Sequence, residues 1–174
     1  MSDAKVAAHF EQYLGQGQRA EVLDRGAELW RYERPEFVSF ATRGLSALPI
    51  AAVHPQELVC SVEHGQDGAA AFLVRALFEM SLENDRGPVD DQVIPNDKPL
   101  LAETDITGLL VSSHPYLDDE FNVLFGENRQ VLTEVMTLIP LTSGETAHAR
   151  TSGVESLLDA LEADDPPLLD VTRR

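Results

Sequence analysis

The sequence has 174 residues, 43% of them apolar, which is enough for one domain with a continuous core. Thirty acidic residues against thirteen basic ones give a formal charge of −17. The resulting negative field disfavours nucleic acid and anionic membranes and favours basic proteins or cations, although charge also serves solubility alone. The one cysteine, Cys60, excludes an internal disulfide, and the N-terminus lacks the pattern of a signal peptide. No apolar run reaches the roughly 20 residues that span a bilayer, so we expect a cytoplasmic protein.

Hydrophobic periodicity divides the first half of the chain into helices and strands. Val6, Phe10 and Leu14 recur at helical spacing, and GQG at 15–17 ends that segment. The predicted elements are helices at 3–14 and 18–26, a strand hairpin at 28–43, a strand at 57–63 and the main core helix at 69–84, whose apolar stripe comprises Phe72, Leu73, Ala76, Leu77 and Met80.

The second half begins with a long segment that has little periodicity. Residues 85–103 include three prolines and several acidic side chains, and they exceed an ordinary connection of about 4 to 6 residues. They form either an ordered functional loop or a mobile one. The later predicted elements are a strand at 107–113, an acidic turn at 114–121, a strand pair around 126–128 that stops at Pro140, a helix, a break at Ser152-Gly153, an amphipathic helix at 153–164 and a C-terminal tail at 166–174.

Glu145 and His148 stand three residues apart, a spacing that places both side chains on one face of a helix. A catalytic zinc site needs three protein ligands, and the other histidines are isolated in the sequence. Thr142 and Glu145 have the spacing of a capping box, in which each side chain binds the backbone amide of the other residue. The same pattern recurs at Ser152 and Glu155. We therefore predict these four residues to be helix caps.

Other catalytic and ligand-binding patterns are weak. Cys60 lies among apolar strand residues, where a small buried side chain is expected, and Ser46 lacks the sequence around a nucleophile elbow. Neither phosphate-binding glycine pattern occurs, and the paired aspartates lack the spacing of a calcium loop. The residues themselves predict a mixed α/β domain with no catalytic, metal or cofactor site.

Several short blocks nevertheless occur in a recognisable order. They are Thr42-x-Gly44-Leu45-Ser46-x-x-Pro49, Glu57-Leu58-Val59, a loop from Gly87 through Ile94-Pro95-Asn96-x-x-Pro99, Gly108-Leu109-Leu110, the string from Ile139 to Glu145, and the phrase from Gly153 to Leu161. Together they resemble the Suppressor of fused domain family over about residues 20–174. The block from Ile139 to Glu145 is the most specific of them.

The resemblance implies an α+β fold, with a central mixed and largely antiparallel sheet flanked by helices in a single domain of residues 1–174. Within it we expect an N-terminal helix and linker at 1–17, a core at about 20–165 and the tail at 166–174. The family implies binding rather than catalysis. Its two-lobed animal relatives hold a transcription-factor peptide as an added strand, whereas stand-alone bacterial members resemble immunity proteins that neutralise toxins.

The leading hypothesis is a non-enzymatic, immunity-type protein that binds and neutralises a basic toxin. An alternative is a regulatory domain that adds an extended peptide to a sheet edge near residues 86–99. An alternative from another class is a metal-dependent hydrolase using His114, His148 and the acidic loops. Charge and loop length select the candidate contact residues Asp90, Asp91, Asn96, Asp97, Asp118 and Asp119.

Overall fold

The computed structural model describes residues 2–174, which form four α-helices and eight β-strands. The helices are α1 (Ser2–Leu14), α2 (Asp67–Glu83), α3 (Ser143–Ser152) and α4 (Val154–Asp164). The strands are β1 (Gln16–Val22), β2 (Glu28–Glu33), β3 (Val38–Arg43), β4 (Gln56–Val62), β5 (Gln92–Pro95), β6 (Ile106–Ser112), β7 (Val123–Phe125) and β8 (Val131–Thr142). All of these strands join one sheet in the order β1-β2-β3-β4-β8-β6-β5, and β7 pairs with the start of β8. The β4–β8 pair is parallel and the other pairs are antiparallel, which confirms the predicted α+β class.

Helices cover both faces of the sheet, so the central strands are buried on both sides. Leu58 and Cys60 of β4 pack in the same cluster as α2, whereas Val59 packs in the cluster that contains α1. This alternation follows from the two-residue period of a strand. The pair α3 and α4 covers the outer part of β6 and β8, where Leu110 and Ile139 lie in a third cluster.

The main core helix lies where the sequence predicts it, but its buried stripe is rotated. Leu73 and Leu77 face the core as expected, and Val74 and Phe78 complete the stripe. Phe72 is 45% exposed, so its predicted core position is wrong. No helix within residues 2–174 is both long enough and apolar enough to cross a membrane.

The predicted second helix at 18–26 is wrong. Residues Gln16–Val22 form the edge strand β1, and only a single 3-10 turn follows at Asp24–Gly26. Part of the predicted linker within 1–17 thus belongs to the sheet. The polar residues of β1 lack an apolar period, and cross-strand contacts such as the Arg19–Glu28 ion pair at 3.0 Å hold the strand instead.

Pro140 does not stop the last strand. It lies opposite Leu109 of β6, and β8 continues through Thr142 into α3 without a loop. Proline lacks the N–H that a ladder position would donate, but its carbonyl group remains available. That carbonyl accepts a hydrogen bond of 2.5 Å from Arg173 of the tail, so the tail docks against the end of the strand.

Candidate functional site

Two of the blocks that carry the family resemblance meet at one buried carboxylate. Glu57 accepts hydrogen bonds from the Thr42 hydroxyl at 2.6 Å and the Ser46 hydroxyl at 2.7 Å. The backbone amides of Gly44, Leu45 and Ser46 donate to the same carboxylate at 2.9, 3.2 and 3.1 Å. Gly44 has φ +104°, a conformation that favours glycine and turns these amides inward. The turn at 42–46 therefore wraps around Glu57.

This carboxylate stabilises the fold and is not positioned to meet a partner. Glu57 is fully buried. Burial raises the pKa of its carboxyl group, and the hydrogen bonds from Thr42, Ser46 and Gly44 oppose that shift because they favour the charged form. The first two blocks thus build a structural element of this chain.

The block from Ile139 to Glu145 joins a strand, a helix and the tail. Thr142 Oγ1 accepts from the Glu145 amide at 3.3 Å, and the Glu145 carboxylate accepts from the Thr142 amide at 2.8 Å, which is the predicted capping box. The same carboxylate pairs with the guanidinium of Arg173 at 2.8 Å. Arg173 is buried, and apart from the basic C-terminus no sequence pattern indicated that it pairs with Glu145.

The second predicted capping box is absent. Helix α3 extends through Ser152, and the residue that precedes α4 is Gly153, which provides no side-chain cap. Ser152 is therefore the last residue of one helix instead of the cap of the next. Glu155 lies in the first turn of α4, where a carboxylate still favours the helix dipole.

Four of the six predicted contact residues flank β5. Asp90 and Asp91 precede the strand, Asn96 and Asp97 follow it, and all four are exposed. The Ser112 hydroxyl donates to Asp91 at 2.7 Å, which ties this end of the loop to β6. The structure thus brings these residues to the two ends of one short strand.

The other two predicted contact residues, Asp118 and Asp119, lie elsewhere. They begin a 3-10 turn whose Phe121 is fully buried, and this turn contacts α1 and β7. The β5 strand instead contacts β6 and α3. The acidic tip and the β5 residues therefore form two separate exposed groups.

The two ends of the sheet differ as docking edges. β5 pairs with β6 along one side and has no strand on its other side within residues 2–174. β1 forms the opposite edge, but its ladder is interrupted by a bulge between Arg19 and Glu21. Bulges and charged side chains are features that protect sheet edges from pairing. The short, less charged β5 is the more open edge for an extended peptide.

A cleft of about 520 Å³ adjoins the start of β5 and was not predicted from the sequence. It is formed by three segments distant in sequence, and its lining residues are Ala51, Ala52, Val53, Gln56, Arg86, Gly87, Pro88, Val89, Asp90, Glu134 and Met136. Of these, only Asp90 was among the predicted contact residues. The usable signal was the presence of Val53 and Val89 in loops rich in proline and polar residues.

The histidines of the hydrolase alternative are engaged in separate places. His114 accepts the Tyr116 amide on Nδ1 at 3.1 Å, so its proton lies on Nε2, which donates to Ser61 Oγ at 2.8 Å. Burial, helped by the charge of Arg34, lowers the pKa of His114 to about 3. A histidine that donates to a serine cannot remove the proton of that serine, so this pair is not an activated nucleophile.

His148 contacts Ser156 of α4, with 2.8 Å between Nε2 and the hydroxyl oxygen. The imidazole therefore links α3 to α4, whereas His114 lies among Phe37, Tyr116 and Phe121. Across the described chain, no three histidine, cysteine, aspartate or glutamate side chains are grouped so as to hold a metal ion.

The observed architecture is that of a single-domain α+β protein with an eight-stranded mixed sheet covered by helices on both faces. The sequence model of the Suppressor of fused protein (SUFU) family matches residues 25–174, and the chain belongs to that family. No curated protein sequence matches the chain significantly.

Three solved structures share the fold at low sequence identity. A Suppressor of fused homologue from Neisseria gonorrhoeae is 15% identical with a TM-score of 0.69, and the match covers 99% of this chain and 94% of the homologue. A chain of the Sufu–Fu complex is 12% identical with a TM-score of 0.70, covering 99% and 89%. Drosophila Suppressor of Fused is 11% identical with a TM-score of 0.66, and the match covers 99% of this chain but 49% of that protein.

Proposed function

We propose that this chain is a non-enzymatic protein-binding domain of the immunity type, which captures and neutralises a basic toxin in the cytoplasm. The observation that carries the proposal is the placement of exposed acidic residues at both ends of the edge strand β5. A formal charge of −17 would attract a basic protein over a distance and speed the encounter. The family supports a binding role, since one structure of this fold is a Sufu–Fu complex.

The mode of capture favoured by the geometry is strand addition at β5. An extended segment of the partner would pair with the free side of Gln92–Pro95. The Asn96 amide donates to Thr107 beside β6, and alternate residues of a strand direct their amides to the same side, so Val93 and Pro95 face the free edge. Pro95 has no N–H to donate, so Val93 would be the amide donor of the pairing and the carbonyl groups of Val93 and Pro95 would be its acceptors. The flanking Asp90, Asp91 and Asp97 would then face basic residues at either end of the added segment.

The experiment is affinity capture from the native cell, followed by mass spectrometry. We expect the wild-type chain to recover a strongly basic protein, and we expect a variant with Asp90, Asp91 and Asp97 changed to lysine to lose it. The matched control changes Asp118 and Asp119 to lysine, which alters the charge in the separate acidic tip. Recovery of no basic protein, or equal recovery by the β5 variant and the wild type, would contradict the proposal.

Strand addition is tested by hydrogen exchange on the purified complex. The backbone amide of Val93 should exchange at least about tenfold more slowly when the partner is bound, because it faces the free side of β5 and gains a ladder hydrogen bond. The amides of β1 serve as the internal control and should not change. Protection that appears at β1 instead of β5 would refute this mode.

A further inference from the structure

The cleft beside β5 has walls that are fixed by the chain itself. The Ala51 amide donates to Asp85 at 2.9 Å, and the Gly87 amide donates to Ala51 at 2.9 Å, so the two wall segments are bonded to each other. Gln56 Nε2 donates to the Pro88 carbonyl at 2.8 Å, which attaches the second wall to β4. A site with walls held in this way needs little ordering when a partner binds.

The cleft exposes apolar surface on both walls. Val53 is 77% exposed and Val89 is 55% exposed, although both are branched aliphatic side chains. Met136, which is buried, also lines the cleft. The Val89 amide donates to the Gln92 side chain at 3.0 Å, so this wall of the cleft is joined to the first residue of the edge strand. A segment paired with β5 would therefore have one end next to this wall.

Three oxygen acceptors lie among these apolar groups. The carboxylates of Asp90 and Glu134 line the cleft, and no side chain of the described residues donates to them within hydrogen-bonding distance. Desolvation at the cleft and the neighbouring Asp91 carboxylate raise the pKa of Asp90, whereas a hydrogen bond from the Asp91 amide opposes that shift. Gln56 is 3% exposed, and its Oε1 has no hydrogen-bond partner in the described chain. An unpaired buried acceptor of this kind costs free energy unless a donor reaches it.

We infer that this cleft binds a lysine side chain presented by an extended segment of the protein partner, an inference that rests on the proposed function. The four-carbon stem of lysine matches the exposed surfaces of Val53 and Val89, and its ammonium group has three N–H donors for the carboxylates of Asp90 and Glu134. An anionic or purely apolar group would leave Asp90 and Glu134 uncompensated. The net charge of the chain favours a cationic group as well.

Arg86 is the one cationic residue in the cleft lining. A variant of Arg86 therefore tests whether the cleft binds a positive or a negative group. Arg86 is exposed and has no carboxylate within 4.0 Å in the described chain. Because like charges repel, Arg86→Gln should strengthen lysine binding by about twofold. A site for an anionic group would instead lose affinity in the same variant.

The probe is an extended threonine–valine peptide with a single central lysine, titrated into the full ¹⁵N-labelled chain and followed by NMR. We expect shifts at the amides of Val53, Gly87 and Val89. The matched peptide with norleucine in place of lysine should bind about tenfold more weakly, because it keeps the stem and loses the charge. The double variant Asp90→Asn with Glu134→Gln should weaken the lysine peptide by a similar factor. The control, Glu162→Gln with Asp164→Asn at the end of α4, should keep the wild-type affinity.

Each remaining outcome overturns the inference. Equal binding of the lysine and norleucine peptides would mean that the cleft recognises only apolar surface. Equal binding of the lysine peptide and an arginine peptide would mean that it recognises only positive charge. Spermidine binding as tightly as the lysine peptide would make the occupant a free amine. Failure of the proposed function can be told apart from failure of this inference. If the lysine peptide binds but affinity capture recovers no basic protein, the proposed function fails. If a captured toxin binds wild type and the Asp90/Glu134 variant equally, the lysine inference fails.

Discussion

Glu57 and the cleft pair Asp90 and Glu134 are all carboxylates, but they differ in the hydrogen bonds that their oxygens accept. Glu57 receives five hydrogen bonds from the turn at 42–46 and is fully buried. Asp90 and Glu134 line an open cleft and receive no side-chain hydrogen bond from the described residues, and Asp90 accepts a hydrogen bond from the Asp91 amide. A carboxylate whose oxygens are all used inside the chain serves stability, whereas one left open can serve a partner.

The comparison also separates family membership from binding. The blocks that identify the family build the Glu57 turn and the Glu145 cap, both of which hold elements together. The open cleft has Gly87 as the first residue of one block, and its carboxylates Asp90 and Glu134 are not among the residues that matched the family pattern.

The strongest test of the comparison is Glu57→Gln. An amide at this position would direct an NH₂ group against backbone and hydroxyl donors, so we expect a loss of about 3 kcal/mol in the free energy of unfolding. Urea denaturation measures the loss, and the dependence on urea concentration should stay unchanged. The control Glu63→Gln, one residue beyond the end of β4 and exposed, should change stability by less than about 0.5 kcal/mol. An unchanged urea midpoint for Glu57→Gln would indicate that the Glu57 carboxyl group is protonated in the folded chain.

Arg173→Met tests the same principle at the tail. The substitution leaves the Glu145 carboxylate without its ion pair and the Pro140 carbonyl without its donor, and we expect a loss of about 2 kcal/mol. The neighbouring Arg174 is exposed and offers a matched control, since Arg174→Met removes the same charge from the same chain end. Equal urea midpoints for the two variants would show that the buried pair contributes nothing.

Local sequence patterns were sufficient where a short stretch determines the structure. The capping box of Thr142 and Glu145 depends on a spacing of three residues and was predicted correctly. The core helix over 69–84 was also predicted, because its apolar period extends over several turns. The second capping box failed although it had the same spacing, because α3 runs through Ser152 and Gly153 takes the cap position.

Contacts between distant segments were not predictable in this way. Strand β1 is polar and gains its stability from pairing with β2, so local propensity misread it as a helix. The cleft joins residues near 51–56, 86–90 and 134–136, which are distant in sequence, and no local pattern indicates that they meet. Candidate contact residues chosen by charge included Asp90 but omitted Glu134, which lies within a strand.

His114 is buried and hydrogen-bonded like Glu57, but it is neutral, which predicts a pH dependence. Its pKa is lowered from 6.5 to about 3 in the folded chain, so only the unfolded chain takes up this proton between those values. The contribution of His114 to the free energy of unfolding is therefore complete above pH 6.5. It decreases as pH falls, by about 2 kcal/mol between pH 7 and pH 5.

Urea unfolding at both pH values measures the change, and His114→Gln is the control. The variant keeps a donor for Ser61 and removes the titration, so its loss over the same pH range should be smaller by about 2 kcal/mol. Carboxylates elsewhere in the chain contribute equally to both proteins and cancel in the difference. The same loss in both proteins would rule out a depressed pKa at His114.

The smallest effect on stability is expected from the double variant Asp90→Asn with Glu134→Gln. These side chains accept no side-chain hydrogen bond from the described residues, and removing two negative charges from a chain of charge −17 reduces self-repulsion. The free energy of unfolding should therefore change by less than about 0.5 kcal/mol, while binding of the lysine peptide falls about tenfold. A stability loss above about 1 kcal/mol would place both residues in the same class as Glu57, and the weaker binding would then follow from damage to the fold.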